Sequence, residues 1–272
     1  MITSSYLMEG PEEAMRLDVK TDAKAVIRQA QWAGIQPGMR VADICCGSGK
    51  TTSIFHELVQ PKGSVAGVDG SLQRLAFASE RYGAPGIEFV CRDITKPLND
   101  LGHFDFVWLR FVLEYFGSNA FDLVQSIAEI VRPSGILCLL DLDHNSLNHY
   151  PAPARLEQTM QDLTQLAVEK ANFDPYAGRK LYSHLYRLGY EDIAVDVSAH
   201  HLIIGELKEA DAFNWLRKVS VAAKNLGYGF GRYAGGYEEF LKEYETFFSD
   251  PGRFTYTPLV SCRGRSPASS GG

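Results

Sequence analysis

Short apolar runs alternate with helix-period stretches along most of the chain. The first three runs each end at or beside an acid: Val41-Ala42 at Asp43, Val65-Ala66-Gly67-Val68 at Asp69, and Phe89-Val90-Cys91 just ahead of Asp93. Runs this short and this apolar read as strands buried on both faces, as in a parallel sheet. Strands are predicted at 41–44, 63–69, 87–93, 102–109, 136–141 and 254–262. Apolar residues recur at helical spacing over 51–60, 72–82 and 121–131, so helices connect the strands. Ser71 is placed to cap the second of these. An earlier helix over 23–32 opens at Thr21-Asp22, turns Ala25, Ile27, Ala30 and Trp32 inward, and stops at Gly34. Helical stretches at 154–171, 207–226 and 237–248 exceed what the sheet requires and are read as cap insertions. The expected fold is α/β, a doubly wound Rossmann-like sheet with helical additions.

The loop after the first strand, Cys45-Cys46-Gly47-Ser48-Gly49-Lys50-Thr51-Thr52, carries the candidate chemistry. A phosphate-binding P-loop requires a glycine five positions before Gly49, where the chain has Ile44. The dinucleotide fingerprint fits Gly47 and Gly49, but its third glycine falls on Thr52. Asp43 also opposes a pyrophosphate at the helix N-terminus and favours a cationic ligand. Lys50, with no complete P-loop around it, is read as a solvated side chain. S-adenosylmethionine is a cationic ligand that also brings a ribose diol and an adenine amino group. Asp69 and Asp93, each about one β-α unit further on, are placed to accept from them along one sheet edge.

Through VADICCGSG, GVDGS, CRDITKPL, FDFVWLRFVLEYF and RPSGILCLLDLD, over residues 38 to 143, the chain resembles the class I S-adenosylmethionine-dependent methyltransferases. The likeness is to the small-molecule branch that includes the ubiquinone and menaquinone biosynthesis type. It implies a seven-stranded sheet with an antiparallel last strand, and a helix at 178–189 leading into the sixth strand at 190–197. It also implies that Asp43, Gly47 and Gly49 lie along the methionine part, with Cys45 where that family has its first glycine. Asp69 would then hold the ribose, Gly70, Ser71 and Leu72 would lie beside the adenine, and Asp93 with Ile94 would read the adenine edge. Leu109, ending the fourth strand, would border the transferable methyl. The adjacent segment lacks the Pro-Pro motif of enzymes that methylate base or amide nitrogens, which favours an oxygen, carbon, sulfur or amine nucleophile on a small molecule.

The chain of 272 residues reads as a single methyltransferase domain, 1–272. It divides into an N-terminal helical lid (1–37), a cofactor core (38–143), cap insertions (144–177 and 200–252) and a loose tail (266–272). Tyr6 and Met8 of the lid are in position either to touch the cofactor or simply to pack. A net charge of -6 without a basic cluster argues against nucleic acid. Five cysteines without C-x-x-C spacing argue against disulfides and a metal site, and point to a reducing compartment. With no apolar leader or spanning run, the expectation is a cytoplasmic protein of unassigned oligomeric state.

On the acceptor side, Arg110 is read either as an anion ligand or as half of an ion pair. Asp143, His144 and His149 crowd the exit of the fifth strand, with chemistry for a base, an orienting group, a metal site or a plain polar loop. Tyr228 and Tyr233, with the apolar caps, suggest a planar or lipophilic acceptor. Two other functions remain open at this level: another transfer from the same cofactor type, such as aminopropyl transfer, and cofactor binding without turnover.

Overall fold

The computed structural model describes residues 12–268. In chain order these form α1 (Glu13–Lys20), α2 (Ala23–Ala33), β1 (Arg40–Ile44), α3 (Lys50–Val59), β2 (Ser64–Asp69), α4 (Leu72–Tyr82) and β3 (Ile87–Cys91). Next come β4 (Phe104–Arg110), α5 (Ala120–Ala128), β5 (Val131–Leu142), β6 (His149–Tyr150), α6 (Ala154–Ala171), α7 (Leu181–Arg187) and β7 (Glu191–Ile203). The last elements are α8 (Glu209–Leu226), α9 (Gly236–Ser249) and β8 (Phe254–Arg265). The sheet runs β3-β2-β1-β4-β5-β8, with β7 on the far edge of β8 and the short β6 pairing with β8 beyond the end of β5. The first five strands are parallel, and β8 is antiparallel to β5. Strand order therefore reverses between β1 and β4, and ligands of open α/β sheets sit in the crevice beyond the carboxyl ends at such a point.

Alternation along β4 shows how the sheet is buried. Val107 and Leu109 face the helices α5 and α7, packing with Leu123, Val124, Ile127, Leu181 and Leu185. Phe106 and Trp108 point the other way, into a layer formed by Val26, Ala30, Ile54, Phe55 and Val59 of α2 and α3. Helix α2 starts where expected because the Asp22 carboxylate accepts from the backbone N–H groups of Lys24 and Ala25. Its inward stripe is Val26, Ala30 and Ala33, so the expected set of Ala25, Ile27 and Trp32 is corrected to half-buried flanks. A third cluster holds the caps together, with Leu156, Met160 and Leu163 of α6 against Trp215 and Val219 of α8 and Phe240, Tyr244 and Phe248 of α9.

Three boundaries differ from the sequence reading. β5 begins at Val131, because Phe104 pairs with Val131 and Phe106 with Ile136, so the expected turn at 132–135 loops out within the strand. The helix expected over 121–131 runs Ala120–Ala128, preceded by two 3₁₀ turns, Leu113–Tyr115 and Gly117–Asn119. β7 continues to Ile203 because β8 offers a partner along its whole length, and the first residues of the expected 200–252 insertion thereby belong to the sheet. Tyr6, Met8 and tail residues 269–272 lie outside the described residues.

Candidate active site

Beyond the carboxyl ends of β1, β2 and β4 lies a cavity of about 550 Å³, within the range of small-molecule sites. The turn that forms its floor needs left-handed backbone at Cys45 (φ 59°), Gly47 (φ 55°) and Gly49 (φ 80°). Cys45 thus adopts the angle of the glycine it replaces, at a cost of about 1–2 kcal/mol. Gly49, expected at the ligand, instead serves packing: a Cβ there would lie 2.7 Å from the Ala78 Cβ and 2.9 Å from the Phe89 ring, and the residue does not line the cavity. A Cβ on Gly47 would lie 2.8 Å from the Leu17 side chain, since α1 closes over the loop. Lys50 is not solvated as expected, because its Nζ donates to the Asp18 carbonyl at the end of α1 (2.9 Å).

The three strand-end acids all line this cavity, in three different states. Asp43 is 3% exposed and accepts from the Thr52 hydroxyl at 2.6 Å. Burial pushes its pKa up to about 7, against the opposing effects of the Thr52 bond and the Arg110 charge. Asp69 accepts from the Gly47 N–H (3.0 Å) on one oxygen, and from the Ser71 N–H (2.9 Å) and the Arg74 guanidinium (3.1 and 2.9 Å) on the other. Asp93 is exposed, and bonds from the Thr95 hydroxyl and N–H hold its pKa below the usual value, so it remains an ionised acceptor. Cys45, Gly47, Gly70 and Ile94 complete this half.

Other expected site residues stand elsewhere. Ser71 caps α4 by accepting from the Arg74 N–H, and Leu72 beside it is 74% exposed; neither lines the cavity. Leu109 points into the core under α5. The exit of β5 does not converge. Asp143 pairs with Arg179 at 2.8 Å, His144 bonds Asn148 at 2.8 Å, and His149 is held by the Thr255 hydroxyl and the Ser146 carbonyl among Trp215, Phe247 and Phe248. Tyr228 and Tyr233 bond Asp162 and Glu243 within the caps. All five side chains lie outside the cavity, because local partners and cap packing claim them.

The other end of the cavity is built by residues at the end of β4 and just after it. Arg110 lines it without an ion pair within 4.0 Å among the described residues. Its guanidinium lies over the Phe111 ring (4.2 Å), and its Nε has no hydrogen-bond partner. Burial brings the Arg110 pKa down to about 10. The Trp108 Nε1 is equally buried and unpartnered, also at the cavity wall. The cationic Arg110 guanidinium at the cavity wall fits a ligand with anionic or carbonyl oxygens. Glu114 is 3% exposed; Oε2 accepts from Asn145 Nδ2 at 2.6 Å, and Oε1 takes no hydrogen bond from the described residues. Asp141 supports it by accepting from the Glu114 N–H. Burial, then the Glu114 charge, pushes the Asp141 pKa well above the usual carboxylate range. Phe111, Tyr115 and Phe116 are the aromatic walls, with Arg16, Lys20 and His201 across the opening. The sequence reading passed over Glu114 although it falls four residues past the fourth strand. His201 was unreadable because its strand was expected to have ended.

A methyltransferase-domain family model matches residues 42–139. A ubiquinone/menaquinone biosynthesis C-methyltransferase from Ectopseudomonas mendocina is 33% identical over 114 residues, 40% of this chain and 44% of that relative. The chain thus spans under half the length of the curated relatives it matches. Among solved structures, a candidate methyltransferase from Bacillus halodurans aligns over 90% of this chain and 100% of its own, with TM-score 0.57 and 16% identity. Phosphoethanolamine N-methyltransferase 2 of Haemonchus contortus, in complex with S-adenosyl-L-methionine, aligns over 90% of this chain and 52% of its own, with TM-score 0.53 and 15% identity. These structures share the fold. Residues 42–139 thus match a methyltransferase domain, set in a fold shared with methyltransferases of known structure.

Proposed function

We propose that the protein transfers a methyl group from S-adenosylmethionine to a planar small-molecule acceptor that loses a proton in the reaction. The observation that carries this reading is a single cavity that starts at Asp43, Asp69 and Asp93 and ends at Glu114, Phe111, Tyr115 and Phe116. Asp43 would face the ammonium, Asp69 the ribose and Asp93 the adenine amino group, while the Arg110 guanidinium suits a carboxylate. The bound cofactor supplies an activated methyl on a sulfonium. The protein's part is to align the acceptor, exclude water and take the proton. Glu114 Oε1 is the acceptor for that proton. The aromatic walls and the relatives' quinone chemistry favour a hydroxylated ring as acceptor.

The test is incubation with methyl-labelled S-adenosylmethionine and a panel of naphthohydroquinone, simple phenols and amines, read by mass spectrometry. Label is expected on a hydroxylated ring. Label recovered in methylthioadenosine would favour aminopropyl transfer, and label left in the intact, bound cofactor would favour a binding protein. Among the described residues no helix is long and apolar enough to cross a membrane. A cytoplasmic, nucleic-acid-free setting belongs to this same proposal.

Asp43 gives the site a pH dependence. Its native pKa near 7 lies above the unfolded value near 4, so the native state holds the extra proton between them. The ligand-free protein therefore loses this contribution to stability as pH rises from about 4 through 7. An ammonium ligand selects the ionised carboxylate, so affinity for S-adenosylhomocysteine should rise between pH 6 and 8, with protons released on binding. Calorimetry in buffers of different ionisation heat measures both; Asp43→Asn should show neither effect.

A further inference from the structure

In the ligand-free protein one oxygen of the carboxylate read as the ribose acceptor is already occupied. An ionised carboxylate offers about four acceptor positions, two on each oxygen. Asp69 Oδ1 receives three protein donors, the Ser71 N–H and two nitrogens of Arg74, while Oδ2 receives the Gly47 N–H, so a diol that needs both oxygens meets Arg74 on one of them. The pair is nearly dry, with the Asp69 side chain 3% and the Arg74 side chain 14% exposed, and both residues line the cavity. Two of the four donors cannot leave. The Gly47 N–H is fixed by the left-handed turn, and the Ser71 N–H by the cap of α4. Arg74 is different, because its guanidinium reaches Asp69 on a flexible stem from the first turn of α4.

We propose that Arg74 is an internal competitor for the ribose site, and that it sets cofactor affinity by holding Asp69 until a diol displaces it. The proposal rests on Asp69 being the ribose acceptor. A site competent for only a fraction of the time binds more weakly by that fraction. Removing the competitor therefore tightens binding, whereas removing a direct ligand contact weakens it. The two roles predict opposite signs.

The experiment is calorimetric titration of S-adenosylhomocysteine into the full chain, its Arg74→Ala and Arg74→Lys variants, and Arg74→Ala combined with Asp69→Asn. Arg74→Ala is expected to bind about tenfold tighter, the equivalent of one charge-assisted bond. Lysine keeps the charge but loses the fork, and should fall between. With Asp69→Asn in place, the Arg74 substitution should change nothing. The ligand-free Arg74→Ala protein should melt lower, because Asp69 loses its cation, yet gain more on saturation with ligand. Should alanine prevent folding, lysine carries the test, with its expected gain intact. Unchanged or weaker binding in a folded Arg74 variant overturns the proposal while leaving the cofactor reading standing. Failure of the unaltered chain to bind S-adenosylhomocysteine overturns both.

Discussion

Asp69→Asn is expected to weaken binding of S-adenosylmethionine and S-adenosylhomocysteine by about 1.5–3 kcal/mol, roughly tenfold to over a hundredfold. Two fresh charge-assisted bonds to a ribose would be worth more. The ribose, however, takes the carboxylate from Arg74 and does not meet it free, so only the difference appears in the affinity. The substitution also acts before any ligand arrives. An amide NH₂ at one oxygen position faces a donor, either the Gly47 N–H or the Arg74 guanidinium, at a side chain 3% exposed. A loss of about 1–3 kcal/mol in the ligand-free protein follows. Thermal melting with and without ligand separates the two effects. An unchanged affinity in a folded variant would take Asp69 out of the ribose role.

Glu114→Gln should lower turnover by about 10² to 10⁴ while leaving cofactor affinity unchanged. Glutamine keeps the volume and can still accept from Asn145, so the 3₁₀ turn and the cavity wall remain in place. What it loses is the ability to hold the proton that a hydroxyl or ring C–H gives up as its bond to methyl forms. Asp141 cannot substitute, since both its oxygens accept backbone N–H groups, from Leu142 and Glu114, and it does not line the cavity. An acceptor that arrives ionised needs no base, so the defect should shrink as the acceptor's own acidity rises. Equal turnover in the variant and the unaltered chain for every acceptor would reduce Glu114 to a wall of the cavity. His144→Ala and His149→Ala should leave turnover nearly intact, because both imidazoles are held outside the cavity.

The cofactor half was legible because it is written in the backbone. Buried strands must be apolar, a left-handed turn must be small or glycine, and a helix needs a cap such as Ser71. Asp43, Asp69 and Asp93 could therefore be placed on one edge from spacing alone, and strand order then brings them to the reversal between β1 and β4. Gly49 shows the limit even here. A glycine required for packing against Ala78 and Phe89 looks the same in sequence as one required by a ligand.

The acceptor half was misplaced because its location depends on tertiary partners. His149 and Tyr233 have suitable chemistry, but the side chains that claim them, Thr255 and Glu243, come from β8 and α9. For Arg110 an ion pair was the commoner outcome to expect, ahead of an anion site, but among the described residues no carboxylate lies within 4.0 Å of it. Glu114 sits in a turn too short to show periodicity, and its partners Asp141 and Asn145 are distant in sequence.

The central claim, that this sheet edge recognises S-adenosylmethionine through three carboxylates in place of a phosphate cradle, is tested most directly by calorimetric titration. S-adenosylmethionine, S-adenosylhomocysteine, magnesium ATP and NAD would each be titrated into the full chain at pH 8. The expected result is saturable one-to-one binding of the first two, with ATP and NAD far weaker. Tight binding of ATP or NAD, with no heat from either adenosyl amino acid, would contradict it.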